Sequence, residues 1–209
     1  MLDVATGTGH TAFAFAPHVK EIIATDITPE MLAEGEKLKS ELGIGNVEFV
    51  IAEVHRMPFR GGAFDILTCR RAAHHFMEID QALLEMMRVL EIGGRLIIDD
   101  RSVPEDDFVD ATLNRLDVLH DPSHVREYRP CEWERMMQDA GFEVQTVEPY
   151  AKLRPLSAFT NGVESENVAE IERIIASLDE EQRRALNVTN LNGEVHLNHW
   201  FMTALGIKR

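Results

Sequence analysis

The chain has 209 residues, 44% of them hydrophobic, which suffices for one domain with a sizeable buried core. Its 21 Lys and Arg stand against 36 Asp and Glu, a formal net charge of -15, and so negative a surface repels phosphate backbones and anionic lipid; neither nucleic acid nor a membrane is expected as a direct partner. Cys69 and Cys131 form no CxxC unit, no apolar run reaches the roughly 18 residues that span a bilayer, and no charged-then-apolar leader opens the chain, so a soluble cytoplasmic protein is expected.

Strands are predicted at residues 1–5, 21–26, 47–52, 64–69 and 95–100, short β-branched runs separated by amphipathic stretches. That alternation is what a parallel sheet covered by helices requires. After the second strand Thr28 is placed to cap a helix with Pro29 at its first position; Met31, Leu32, Leu38 and Leu42 follow helical spacing and Gly43 stops it. Residues 79–90 behave alike, with Ile79, Leu83, Leu84, Met87 and Leu90 on a stripe, Asp80 as the expected cap and Gly93-Gly94 as the expected closing turn. Helices are predicted again over 104–119 and 130–140, the second stopped by Gly141, and a strand at 142–147 should close an edge of the same sheet. Residues 155–187 read as a helical insertion, with Val168, Ile171, Ile175 and Leu178 as its apolar stripe. Residues 194–207 read as a last strand that hairpins back as an antiparallel edge of the sheet. The expectation is an α/β fold with a mostly parallel seven-stranded sheet, in a single domain over 1–209.

The densest signal is Asp3-Val4-Ala5-Thr6-Gly7-Thr8-Gly9-His10-Thr11-Ala12, a strand running into a glycine turn and then a helix. Gly7 and Gly9 permit a tight turn and let a ligand lie against backbone where no Cβ intervenes. Alone, the pattern is ambiguous: Gly7-x-Gly9-x-x-Ala12 followed by Asp26 also satisfies a dinucleotide fingerprint, so NAD must be weighed. Three features tilt the balance. Asp3 sets a carboxylate on the first strand, where it can accept from the glycine loop or, through water, from the ammonium that S-adenosylmethionine has and NAD lacks. Glu53, in Ala52-Glu53-Val54-His55-Arg56-Met57-Pro58-Phe59, is placed to accept from an adenine amino group. The fourth strand ends in Cys69-Arg70-Arg71-Ala72-Ala73-His74-His75-Phe76 at the sheet edge where open α/β sheets bind ligands.

These motifs, with Asp26-Ile27-Thr28-Pro29-Glu30-Met31 and Leu90-Glu91-Ile92-Gly93-Gly94-Arg95, make residues 1–100 closely resemble the class I S-adenosylmethionine-dependent methyltransferases of the ubiquinone/menaquinone-biosynthesis-like group, the methyltransferase type 11 domain. The resemblance implies a Rossmann-like class I fold with 1–100 as the cofactor-binding half and 101–209 as the substrate-side half. It also implies that the loop from Gly7 to Gly9 cradles the methionine portion, that Asp26 binds the ribose hydroxyls, that Ile27 and Met31 sandwich the adenine, and that Glu53 with the Val54 backbone reads its edge. Backbone near Cys69 and Arg70 would complete the methionine site, and Arg71 and His75 would face the acceptor. Two departures stand out: the family usually has Asp where this chain has Glu53, and related chains carry N-terminal helices that cover the cofactor whereas this sequence starts at Met1, inside the motif, so that either it is truncated or those helices are absent. That missing cover makes self-association as a homodimer, and a non-catalytic cofactor-binding or scaffold role, readings to carry alongside methyl transfer and NAD-dependent oxidoreduction.

Singly, Asp3, Asp26 and Glu53 are ordinary loop or capping carboxylates; together with the glycine loop they read as a cofactor site. His74 and His75, being adjacent, point in different directions and have no third ligand by spacing, so no metal is expected. His196 and His199 are expected to be structural, Met86 and Met87 to be core, and Asp99-Asp100 either to end a strand or to line the pocket. No catalytic residue is named, because a sulfonium donor needs mainly positioning and desolvation. The acceptor is expected to be a small molecule.

Overall fold

Strand β1 (Leu2–Val4) is buried along its whole length, as a parallel strand covered on both faces must be. It lies between β2 (Ile22–Asp26) and β4 (Phe64–Arg70), both parallel to it, with Leu2 opposite Ile23 on one side and Leu67 on the other. The structure is a computed structural model and describes residues 1–209. With β3 (Val47–Ile51), β5 (Leu90–Ser102), β6 (Phe142–Pro155), β7 (Thr189–Leu191) and β8 (Glu194–Lys208), the sheet runs in the order β3-β2-β1-β4-β5-β8-β6, and β7 pairs antiparallel with β8. The chain winds outward from β1 in one direction and from β4 in the other. The carboxyl ends of these two strands therefore flank the switch point at which open α/β sheets bind ligands.

The expected α/β architecture is present, with β6 at the edge. Three details differ. The last strand, β8, lies inside the sheet between β5 and β6 rather than at its margin; its buried Leu197, Phe201, Met202 and Ala204 suit a covered position. An eighth, three-residue strand, β7, precedes it across Asn192-Gly193, whose φ values of 53° and 86° suit the two-residue turn that Asn-Gly favours in hairpins. Gly93-Gly94 does not end the preceding helix in a turn: β5 begins at Leu90, and the two glycines sit where the β4–β5 register shifts between Phe64↔Leu90 and Ile66↔Arg95.

Helix α1 (His10–Phe15) follows the glycine loop; α2 (Pro29–Leu42) starts at Pro29 and ends on left-handed Gly43, as the sequence predicts. Thr28 occupies the N-cap of α2 without a side-chain capping bond. The N-cap of α3 (Ile79–Val89) is Glu78 instead of Asp80, which lies in the first turn. Then come α4 (Asp107–His120), α5 (Pro130–Asp139), α6 (Ser157–Thr160), α7 (Ser165–Ser177) and α8 (Glu180–Ala185). No helix is long and apolar enough to cross a membrane.

The chain divides into two compact units, one of residues 1–100, 133–147 and 203–209 and the other of residues 101–132 and 148–202. In the first, Ala12, Ala16, Ile22, Ala24 and Val47 form a core beneath α1 and the β2–β3 margin. In the second, Val109, Leu113 and Leu116 of α4 pack with Phe159, Ile171, Ile175, Leu186 and Leu197. Of the predicted stripe in residues 155–187, Ile171 and Ile175 are buried in that core and Leu178 packs against it, whereas Val168 does not join it; each fully buried Leu, Ile or Phe contributes roughly 1.5–3 kcal/mol.

Candidate functional site

The turn leaving β1 is built from left-handed residues: Ala5 at φ 51°, Gly7 at 57° and Gly9 at 91°. The two glycines serve different ends. A Cβ on Gly7 would meet nothing within 4 Å, so the backbone there is open to a ligand; a Cβ on Gly9 would lie 2.7 Å from Phe49 Cζ and 2.8 Å from Phe13 Cζ, so that position is closed by packing. Asp3 is buried beneath the loop. Its Oδ2 accepts from the Thr6 hydroxyl and its Oδ1 from the Thr68 hydroxyl, each at 2.5 Å. Burial pushes the Asp3 carboxyl above its usual range despite these donors. The predicted link between Asp3 and the glycine loop is present and runs through Thr6.

Asp26, at the end of β2, holds the loop from the other side, with Oδ2 accepting from the Gly7 amide at 2.8 Å and Oδ1 from the Thr28 amide at 2.9 Å. Each carboxylate oxygen has two acceptor lone pairs, so both retain capacity for a hydroxyl donor. Just beyond, Ile27 and Met31 are 64% and 47% exposed, two apolar side chains standing in solvent at the head of α2.

At the end of β3, Glu53 is the N-cap of a single 3-10 turn, Val54–Arg56, and its carboxylate accepts from the His55 amide at 3.0 Å and from the His55 ring at Nδ1. Burial would raise the Glu53 carboxyl, but the two bonds from His55 outweigh it and hold it below its usual range.

At the end of β4, Cys69 is buried and burial drives its thiol far above its usual range, which leaves its backbone as the part available for recognition. Arg70 is exposed. Arg71 is left-handed at φ 56°, donates its amide to the Asp99 carbonyl at 2.8 Å and has its Nε 2.8 Å from Asp99 Oδ1. Three residues on, His74 is fastened to Asp100 through its amide at 3.0 Å and its ring Nδ1 at 2.6 Å. The His75 ring lies against that of His74, centroids 4.0 Å apart. Non-glycine residues with positive φ thus stand just past the ends of β1 and β4, adjacent strands at the switch point, which is where backbone strain tends to collect at functional sites.

The predicted residues therefore fall at the carboxyl ends of β1 to β4, along one sheet edge. Asp3, Thr6, Gly7 and Asp26 are joined by direct bonds; Glu53 is bonded to its own turn, and Arg71 to Asp99. Sequence reasoning missed Thr68, His55 and the division of labour between Asp99 and Asp100. It also missed Glu85, a buried acid in α3 that accepts from the Met57 amide at 2.7 Å and pairs with Arg88, whose guanidinium donates to the Phe59 and Met57 carbonyls. The buried face of α3 is Ile79, Ala82, Leu83, Glu85, Met86 and Val89, rotated from the predicted stripe so that Leu84 is exposed; the available signal was an acid three before an arginine. His199 is buried and stacked on Phe159 as a structural histidine would be.

The open Gly7 backbone, a carboxylate with spare acceptor capacity and two solvent-exposed apolar side chains beside it fit a nucleoside carrying a polar tail. Comparison with known proteins agrees. The family model described as a methyltransferase domain matches residues 2–98. YcgJ of Bacillus subtilis, named an uncharacterized methyltransferase, is 41% identical over 150 residues, covering 72% of this chain and 59% of YcgJ. The ubiquinone/menaquinone biosynthesis C-methyltransferase UbiE of Idiomarina loihiensis is 38% identical over 120 residues, 56% of this chain and 46% of UbiE. The chain thus spans less than two thirds of the length of these relatives. The crystal structure of YcgJ superposes with a TM-score of 0.93 at 33% identity, covering 100% of this chain and 91% of that one. A Bacillus halodurans protein, BH2331, gives 0.94 at 33% identity over 99% and 91%. The chain belongs to the class I S-adenosylmethionine-dependent methyltransferase family.

Proposed function

We propose that this chain binds S-adenosylmethionine along the carboxyl ends of β1 to β4 and transfers a methyl group to a small-molecule acceptor. The observation that carries the reading is Asp26, which ties the glycine loop to the head of α2 through Gly7 and Thr28 and keeps acceptor capacity for a ribose diol. Around it, the backbone of Ala5, Thr6, Gly7, Thr8 and Gly9, held from below by Asp3, lies along the methionine portion. Ile27 and Met31 flank the adenine, Glu53 and the Val54 backbone read its edge, and backbone at Cys69 and Arg70 closes the methionine site. When bound, S-adenosylmethionine supplies a sulfonium-activated methyl group with a neutral thioether as leaving group. The chain's own task is to hold the acceptor in line and exclude water.

Arg71 and His75, on the loop that Asp99 and Asp100 hold, face the acceptor, and His75 takes a proton from an acceptor that must lose one. Residues 1–209 act as a single methyltransferase domain whose first hundred residues carry the cofactor. The net charge of -15 supports a small-molecule partner over nucleic acid or membrane, and two cysteines that form no CxxC unit or disulfide framework support the cytoplasm. Calorimetric titration with S-adenosylhomocysteine, with NAD as comparison ligand and Asp26→Ala as control, tests the reading. Binding of S-adenosylhomocysteine that the substitution abolishes is the expected result; preference for NAD, or no binding, overturns it.

A further inference from the structure

Glu53 stands where the family usually carries the shorter Asp, and its surroundings give that extra methylene a use. Both carboxylate oxygens turn back on His55, Oε2 accepting from its backbone N–H and Oε1 meeting ring Nδ1. The other ring nitrogen, Nε2, lies 3.3 Å from the backbone nitrogen of Glu78. A backbone N–H only donates, so Nε2 carries the lone pair and the proton sits on Nδ1, donated to Glu53. The ring also stands edge-on to Phe76, centroids 6.2 Å apart. One imidazole thus joins the acid at the end of β3 to the segment that follows the paired histidines. An Asp at 53 would still reach the backbone N–H as a cap, but would fall about one C–C bond, roughly 1.5 Å, short of the ring.

We propose that His55 is a positioning residue for cofactor recognition: it fixes the orientation of the Glu53 carboxylate at the adenine edge and so sets a preference for a 6-amino over a 6-oxo purine. The inference rests on the cofactor reading above. The reason is chemical. A carboxylate whose oxygens are each anchored by one donor keeps lone pairs for an amino group and repels a carbonyl oxygen. Without the ring, the longer side chain of Glu53 rotates and no longer discriminates.

The test is calorimetric titration with S-adenosylhomocysteine and with S-inosylhomocysteine, its 6-oxo counterpart, on the native chain and on His55→Ala, His55→Asn, Glu53→Asp and the Glu53→Asp/His55→Ala double variant. The native chain is expected to prefer the adenine ligand by at least about tenfold, the scale of one charge-assisted hydrogen bond. His55→Ala is expected to bring the ratio close to one, and His55→Asn, which restores an N–H near the position of Nδ1, to recover most of it. In the Glu53→Asp background, removing His55 should leave the ratio unchanged, since Asp does not reach the ring. A merely structural His55 lowers both affinities alike and leaves the ratio intact. An unaltered ratio in His55→Ala, or independent and additive effects of the two substitutions, overturns the proposal while the cofactor reading stands. Failure of the native chain to bind S-adenosylhomocysteine overturns both.

Discussion

Asp100 holds His74 at two points: the buried carboxylate accepts the His74 amide on Oδ2 at 3.0 Å and ring Nδ1 on Oδ1 at 2.6 Å. One residue earlier on β5, Asp99 holds Arg71 through its carbonyl and its carboxylate. Successive acids of one strand thereby fix successive parts of the segment that leaves its neighbour, and that segment carries His75. Asp100→Leu keeps much of the volume but leaves the His74 amide without an acceptor, while the ring can move its proton to Nε2. It should cost about 1–3 kcal/mol, the penalty for leaving one buried donor unsatisfied. Urea unfolding checks the value; an unchanged midpoint would show that the pairing does not hold the segment.

Much of this arrangement was legible because the local chemistry was self-contained. Pro29 and Gly43 bound α2 without help from the rest of the chain, and β1 runs into its glycine turn within ten residues. What was not legible depended on which strands become neighbours. Asp99 and Asp100 read either as a strand end or as pocket lining until β4 and β5 lie side by side, and Thr68 becomes a partner of Asp3 only through the same sheet order. Arg101, which pairs with Asp117 of α4 and lies 3.5 Å from Glu127, is another such case, a buried charge group assembled from three separate stretches. Gly93-Gly94 misled for the opposite reason. Two glycines signal a turn locally, whereas here the pairing with β4 absorbs them as a register shift.

Gly35 and Gly9 both press on the ring of Phe49. A Cβ on Gly35 would stand 2.6 Å from Phe49 Cζ and 2.9 Å from Cε1. Alanine in a helix interior gains about 1 kcal/mol over glycine, but overpacking costs about 1–3 kcal/mol. Gly35→Ala should therefore be destabilised by about 1 kcal/mol net, and adding Phe49→Leu should recover much of the loss. Thermal unfolding of the single and double variants checks the coupling, and a Gly35→Ala chain more stable than the native one would refute it.

Two buried groups tilt the pH dependence of stability in opposite senses. Asp3 has a folded pKa raised by burial, so its contribution is fully present below the unfolded carboxyl value and is lost as the pH rises through the raised value. Asp3→Asn removes that slope and should be more stable than the native chain at pH 7 and comparable near pH 4. It should also bind S-adenosylhomocysteine more weakly, because the charge beneath the loop is gone. Denaturant midpoints across pH check the first part, and a gap that widens toward acid would contradict it.

His199 runs the other way. Burial, then the charges of Arg101, Arg154 and His120, lower its pKa from 6.5 to about 3. Its contribution is present above pH 6.5 and is lost as the pH falls toward 3, because the unfolded chain takes up a proton that the native one refuses. His199→Phe keeps an aromatic ring against Phe159 and cannot titrate, so it should gain on the native chain steadily below pH 6.5. Equal acid limbs in the two unfolding profiles would count against this account.

Ile27 and Met31 separate binding from stability. Ile27 stands largely in solvent and Met31 about half so; Ile27→Ser should stay within about 0.5 kcal/mol of the native chain, the range usual for surface positions, and Met31→Ala, which gives up more burial, within about 1 kcal/mol. A purine laid between them would bury that apolar surface, and at about 25 cal/mol per Å² a loss of some 50 Å² of ligand contact corresponds to about 1.3 kcal/mol, or roughly tenfold in affinity. The expected pattern is an unfolding midpoint unchanged in Ile27→Ser and only slightly lowered in Met31→Ala, with S-adenosylhomocysteine affinity lowered about tenfold in each variant. Homocysteine, which lacks the purine, should give no difference between variants and native protein. A fall in stability without a fall in affinity would mean that these side chains pack against the chain itself and that the purine lies elsewhere.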